Sequence, residues 1–131
     1  MEDPATASWD VNISDADFEK LKAGFEAADM NHRWEIAAKD TDENGIIPIH
    51  ISRSWTEEDQ YILSATPIDG GAKIISITWE QNRGEVRIGE DYAKKEAVIV
   101  CRMMLRCDFD ALPFYDKKAL WHQLYAGGGT E

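Results

Sequence analysis

Cysteine is scarce in this chain of 131 residues, which has only two. Cys101 and Cys107 lie six apart in a stretch of helical period. Six residues of helix rise about 9 Å, too far for a disulfide between them. Free thiols point to a reducing compartment, and Met1-Glu2-Asp3-Pro4 lacks the basic and apolar regions of a secretory leader. A cytoplasmic location is therefore the expectation. Positive charge is also in short supply: 14 Lys and Arg against 25 Asp and Glu leave a formal charge of −11. That balance argues against nucleic acid as a partner, because gripping a phosphate backbone needs a basic surface. No apolar run approaches the roughly 20 residues of a membrane-spanning helix, so no membrane partner is expected.

Motifs that carry chemistry are missing too. His32, His50, His122 and the cysteines show no CxxC or HxxxH spacing, so no metal is expected. Asp69-Gly70-Gly71 has neither the P-loop spacing nor a following lysine–serine pair. Carboxylate pairs such as Asp108 with Asp110 read as solvated turns, since sequence proximity alone does not drive two pKa values apart. Cys101 falls in an apolar stripe where burial makes a thiol inert. No cofactor is expected, and the reading leans away from an enzyme.

What the chain does contain is a change of period. Between Arg33 and Glu80 four segments alternate apolar and polar residues: Trp34–Ile36, Ile47–Ser52, Tyr61–Ala65 and Ile75–Trp79. That spacing lines one face of a pleated strand. Asn44-Gly45, Thr56–Asp59, Asp69–Gly71 and Asn82–Gly84 supply the turns between and after them, Asn44-Gly45 as a tight hairpin turn. Val86 and Ile88 offer a short fifth strand, and Pro48 belongs at an edge, a bulge or a position needing no amide donor. The expected core face carries Trp34, Ile36, Ile47, Ile49, Ile51, Trp55, Tyr61, Leu63, Ile75, Ile77 and Trp79. Glu35, His50, Ser52, Ser54, Ser64, Thr66, Ser76 and Thr78 fall on the other face, with Ile46, Ile62 and Ile74 as spare apolar residues there.

Helical period flanks this block. Ser14 is a good N-cap, followed by Asp15 and Asp17 in a first turn where the helix dipole favours negative charge. Phe18, Leu21, Phe25 and Ala28 recur at helical spacing over about 15–29, with Asn31 as a stop. From Asp91 a wide stripe (Ala93, Ala97, Val100, Cys101, Met104, Leu105) predicts the most buried helix, with Arg102 and Arg106 on its wetter side, before Leu112-Pro113 breaks it. A short helix, Asp116–Tyr125, closes the chain. The expectation is thus a two-layer α+β fold: an N-terminal helix, a four- to five-stranded antiparallel meander, a long buried helix and a short C-terminal one. Residues 1–13 are expected as a flexible arm, 14–126 as one domain and 127–131 as a disordered tail.

Two local features invite a sharper reading. Asp40-Thr41-Asp42-Glu43-Asn44-Gly45 copies the first half of a calcium loop, but position twelve is Ile51 where a bidentate glutamate is needed. A hairpin turn is the better reading. Five tryptophans are many for this length; Trp9 stands apart, in a loose acidic arm, where it would fold back on a groove or anchor a partner. The leading functional expectation is a non-catalytic acidic interaction module, of adaptor, chaperone or inhibitor type. It would engage another protein, basic by charge, through Trp9 of the arm, through His50, Ser52, Ser54, Ile62 and Ile74 on the sheet face, or through its acidic loops. Homodimerisation through that face is compatible. The alternative is a small-molecule-binding protein or small enzyme whose pocket between sheet and long helix is lined by Trp34, Trp55 and Trp79, with His50, Glu35 or Asp110 as the polar group. An aromatic cavity with a buried ionisable group favours the second reading; a filled core with an exposed apolar patch favours the first.

Overall fold

The computed structural model describes residues 1–27, 33–54, 56, 58–83 and 86–128, with 123–128 as backbone only. Strand β1 (Pro4–Ser14) leads into helix α1 (Asp15–Ala23). Strands β2 (Trp34–Ala38), β3 (Ile47–Arg53), β4 (Asp59–Ile68) and β5 (Gly71–Glu80) follow. A two-stranded ribbon, β6 (Asn82–Arg83) with β7 (Val86–Arg87), precedes helix α2 (Glu90–Leu105) and helix α3 (Lys117–Gly128). The fold is α+β: a five-stranded antiparallel sheet in the order β1-β5-β4-β3-β2, with helices packed on one face.

The meander from β2 to β5 is the one that the alternating pattern predicts, and its inward residues form the core. Ile49, Ile51, Tyr61, Leu63 and Ile77 are almost wholly shielded from water. The fifth strand is not where the sequence suggests. Val86 pairs only within the small ribbon, whereas residues 4–14, expected as a loose arm, form β1 and pair with β5 from Pro4↔Glu80 to Ser14↔Gly71. Ala5, Ala7, Trp9, Val11 and Ile13 face inward along it, while the residues between them are exposed. Small alanines at two of the five inward positions hide the period from a hydropathy reading. Close approach of the two strands needs Gly71, where a Cβ would lie 2.0 Å from the Ile13 carbonyl oxygen.

A bulge in β5 accounts for the second departure. Ser76 pairs with Ser64 and Ile74 with Ala65, so Ile75 is an extra residue. Beyond it the strand's phase reverses: Ile74 is buried at 1% exposure, whereas Ile75 is only partly buried, opposite to the expectation for both. Pro48 fits its strand because it lies past the last β2–β3 ladder pair, Ala38↔Ile49, where Lys39 N–H donates to its carbonyl and no amide is needed. The Asn44-Gly45 turn is looser than a two-residue hairpin. Asp42 N–H donates to the Ile46 carbonyl, Gly45 N–H returns to Asp42, and only Gly45 has positive φ. Asn82-Arg83, expected in a turn, forms β6 instead. Gly84 lies outside the described residues.

Ser14 caps α1, its hydroxyl accepting the Asp17 N–H at 3.1 Å. The helix ends at Gly24 rather than near residue 29, because Phe25 exchanges backbone hydrogen bonds with Ile36. Ala28, Asn31 and His32 lie outside the described residues. Helix α2 buries Tyr92, Ala93 and 97–101, ends at a left-handed Arg106, and so stops well short of Pro113. Arg102 is not merely a wet-side residue: its guanidinium donates to the carbonyls of Asp108, Phe109, Leu112 and Pro113 and fastens the loop after the helix. Helix α3 continues to Gly128, past Tyr125 and into the expected tail, with no proline to stop it; residues 129–131 lie outside the described residues.

Candidate functional site

At one end of the sheet three polar side chains meet around the carboxylate of a fourth, the four drawn from three elements. Tyr61 points inward from β4, Arg83 ends β6, and Tyr92 and Glu96 stand one turn apart on α2. Arg83 Nη2 lies 2.6 Å from Glu96 Oε1. The Tyr61 hydroxyl donates to the same Oε1, and the Tyr92 hydroxyl donates to Oε2 at 3.1 Å. The Arg83 and Glu96 side chains are only 14% and 12% exposed. Burial of a carboxylate raises its pKa, but the bond and charge of Arg83, with the two hydroxyls, outweigh it and hold Glu96 below the usual glutamate range. Burial first, and then the Glu96 charge, push both tyrosines well above their ordinary value. Arg83 stays charged because Glu96 more than offsets the burial that would lower it. Its Nε is shielded from water with no hydrogen-bond partner among the described residues.

Beside this network opens a cleft of about 600 Å³ between α2, α3 and the ends of β2 and β3. Tyr92 and Glu96 lie in its lining with Trp34, Met103, Met104 and Trp121. Three cations complete the wall: Arg33, Arg53 and Lys117. Arg53 lies over the Trp34 ring, 4.6 Å from its centroid, and Trp34 stacks on Tyr61 at 6.3 Å. A stacked series thus links the cleft wall to the buried carboxylate. Arg33 and Arg53 also border a larger cavity of about 1020 Å³, whose lining includes Arg83, Glu58, Asp59 and Glu80. Among the described residues that cavity is mixed in charge and has no aromatic wall, so the smaller cleft is the better-formed candidate. Glu80 belongs to a backbone clasp: the Asn82 amide chiefly, then those of Glu2 and Asp3, hold its carboxyl below the usual range against the opposing effect of burial.

The sequence-selected residues scatter over this frame. Trp34 lines the cleft. Trp79 does not, because its indole donates to the Ile88 carbonyl at 2.8 Å inside the core. Glu35 lies on the opposite face of β2, paired with Ser52, and Asp110 is exposed in the loop after α2. Trp55 lies outside the described residues. His50 stands on the outer sheet face, its Nδ1 2.8 Å from Asp59 Oδ2, with Ser52 and Ile62 on the same side. Ser54 is in the turn after β3, its amide donating to Arg33. Ile74 is a core residue and no part of that face. Trp9 folds back under Lys94 of α2, 5.7 Å from ring centroid to Nζ.

Arg33, Arg53, Arg83, Tyr92, Glu96, Lys117 and Trp121 are the site residues that sequence reasoning missed. The available signal was Glu96 itself, a carboxylate set one turn after Tyr92 within the most apolar helix. Its partners come from positions 13 and 35 residues away and have no local signature. At the calcium-like loop, Asp42 Oδ1 already accepts the amides of Asn44 and Ile46, as a hairpin turn requires. Among the described residues no group of three or more His, Cys, Asp or Glu is placed to hold a metal. Both cysteines are free and buried, and burial, with Asp17 adding to it, pushes the Cys107 thiol up to about 12. Among the described residues no helix is long and apolar enough to cross a membrane.

Comparison with known protein families, curated proteins and solved structures finds no match to this chain.

Proposed function

We propose that this chain is a small-molecule-binding protein that takes its ligand in the cleft between α2, α3 and the sheet end. The observation that carries this reading is the coincidence of aromatic walls (Trp34, Tyr92, Trp121) with a buried, fully engaged ionisable group, Glu96. Clefts of this volume, largely apolar with a few placed polar groups, suit small organic ligands. Met103 and Met104 add adaptable apolar surface. Glu96 is held ionised by Arg83 and so suits a structural or electrostatic role better than that of a proton-accepting base. The free buried thiols fit a reducing, cytoplasmic setting. A neutral naphthylamine dye, N-phenylnaphthylamine, tests the reading. It is expected to bind saturably at one site per chain, with binding weakened in Trp121→Ala. Absent or non-saturable binding, or binding unchanged in that variant, would contradict it.

A second reading rests on the outer sheet face. There His50, Ser52, Ser64, Ser76 and Thr78 surround Ile62 and Ile75, and the buried residues of all three helices belong to the core on the other side. A protein-interaction module of −11 charge would present this face to a basic partner. Substituting Ile62→Glu would then abolish the association while leaving dye binding intact.

A further inference from the structure

Among the described residues the cleft lining holds two side chains with oxygen, and they are bonded to each other: the Tyr92 phenol and the Glu96 carboxylate. The direction of the bonds at this pair is fixed. An ionised carboxylate only accepts. Glu96 Oε1 takes the Tyr61 hydroxyl and, at 2.6 Å, Arg83 Nη2. Oε2 takes the Tyr92 hydroxyl at 3.1 Å and Arg83 Nη1 at 3.4 Å. The one proton that Tyr92 can donate is therefore spent inside the network. Burial, and then the Glu96 charge, keep that proton on the phenol by raising its pKa. Arg83 interacts with the Tyr92 phenol too, but stands outside the cleft lining, so its own protons serve the network. Toward the cleft the pair thus presents acceptors and no spare donor. Oε2 is the more loosely held carboxylate oxygen, and a phenol oxygen accepts while it donates.

Resting on the cleft as the ligand site, we infer that its ligand is a flat apolar molecule carrying a hydrogen-bond donor, a phenol or an aryl N–H compound in chemical class, whose O–H or N–H is read by the Tyr92–Glu96 pair. The apolar body lies against Trp34, Trp121 and the two methionines. A ligand of the same body without the donor strips water from these oxygens and returns nothing, and a site built on a hydrogen bond discriminates in that way.

Three probes that share one body separate this inference from the reading beneath it: 2-naphthol, 2-methoxynaphthalene and naphthalene, each measured by equilibrium dialysis against the full chain at pH 7. The ether keeps the oxygen that the wall's cations could meet and loses only the O–H, while naphthalene shows whether the added methyl group clashes. Naphthol is expected to bind about fivefold tighter or more than either of the others, the gain of one hydrogen bond. Tyr92→Phe should change the naphthol-to-naphthalene ratio by about threefold or more. The ratio falls if the phenol is the acceptor and rises if its removal bares Oε2. Naphthol no tighter than the ether, or no tighter than naphthalene, would overturn the donor inference and leave the cleft reading standing. Binding of none of the three would overturn both. A ratio unmoved in Tyr92→Phe would put the donor contact elsewhere and overturn the inference, and the comparison in the unsubstituted chain holds whether or not that variant folds.

Discussion

Two largely shielded carboxylates, Asp17 and Glu96, fasten different elements of this fold, and they are satisfied in different ways. Asp17, 1% exposed on α1, spends its oxygens on backbone: Oδ1 accepts the Asp108 amide at 2.8 Å and Oδ2 the Phe109 amide at 2.7 Å. The result is a fastener. It pins the loop after α2, where Arg106 and Phe109 both take positive φ, and it lines neither cavity. Glu96 instead is met by side chains from β4, β6 and its own helix, beside an open cleft. Backbone amides can stabilise a carboxylate only where the chain already passes, so such a site is part of the architecture. A carboxylate matched by an arginine and two phenols on separate elements is a preorganised polar surface, which recognition can use.

The contrast can be broken most forcefully at Glu96. Substituting Glu96→Gln leaves Arg83 buried without a counter-charge and is expected to cost about 3–5 kcal/mol in urea denaturation. A loss under about 1 kcal/mol would mean that water reaches the network and that the two sites do not differ in kind. Asp17→Asn retains one acceptor and should cost less, about 1.5–3 kcal/mol, with dye binding in the cleft unchanged. Weaker binding in that variant would show that the fastener and the cleft are coupled.

Acid sharpens the comparison further. Glu96 and Glu80 are both held below the usual carboxylate range. A carboxyl with a depressed folded pKa contributes stability that is complete above its unfolded value, about 4.3 for glutamate, and is lost as pH falls through the lower folded value. Stability should therefore decline below about pH 4, and Glu96→Gln should flatten that decline. An unaltered acid limb in the variant would remove Glu96 from the account. The smallest effect expected lies at the Asp17 end. With the Cys107 thiol pushed up to about 12 and the Cys101 thiol also raised well above its ordinary value by burial, a thiol reagent at neutral pH should react slowly until the protein unfolds. Rapid labelling would mean that this end opens readily.

Local pattern made the scaffold legible and left the site obscure. Alternation located β2 to β5, the wide stripe located α2, and Ser14 marked the start of α1 correctly to the residue. Strand β1 escaped because Ala5 and Ala7 carry too little hydropathy to show a period, although their inward positions are fixed by pairing with Trp79 and Ile77. Ile74 and Ile75 were exchanged because a bulge is a pairing event between strands, invisible to a period counted along one. The site was harder still. Of the residues singled out for a pocket, Trp34 lines the cleft, whereas Trp79 is consumed by the core and Glu35 points away from it. Tyr61, Arg83 and Glu96 become neighbours only when β4, the β6–β7 ribbon and α2 converge, and no spacing in the chain encodes that.

The central claim is that the space beside Glu96 is a binding site, and the tryptophan indoles report on it directly. In a two-dimensional NMR titration with anilinonaphthalene sulfonate, the indole N–H signals of Trp34 and Trp121 should move together to saturation while those of Trp9 and Trp79 stay in place. Stationary Trp34 and Trp121 signals, or a response confined to Trp9, would contradict the account.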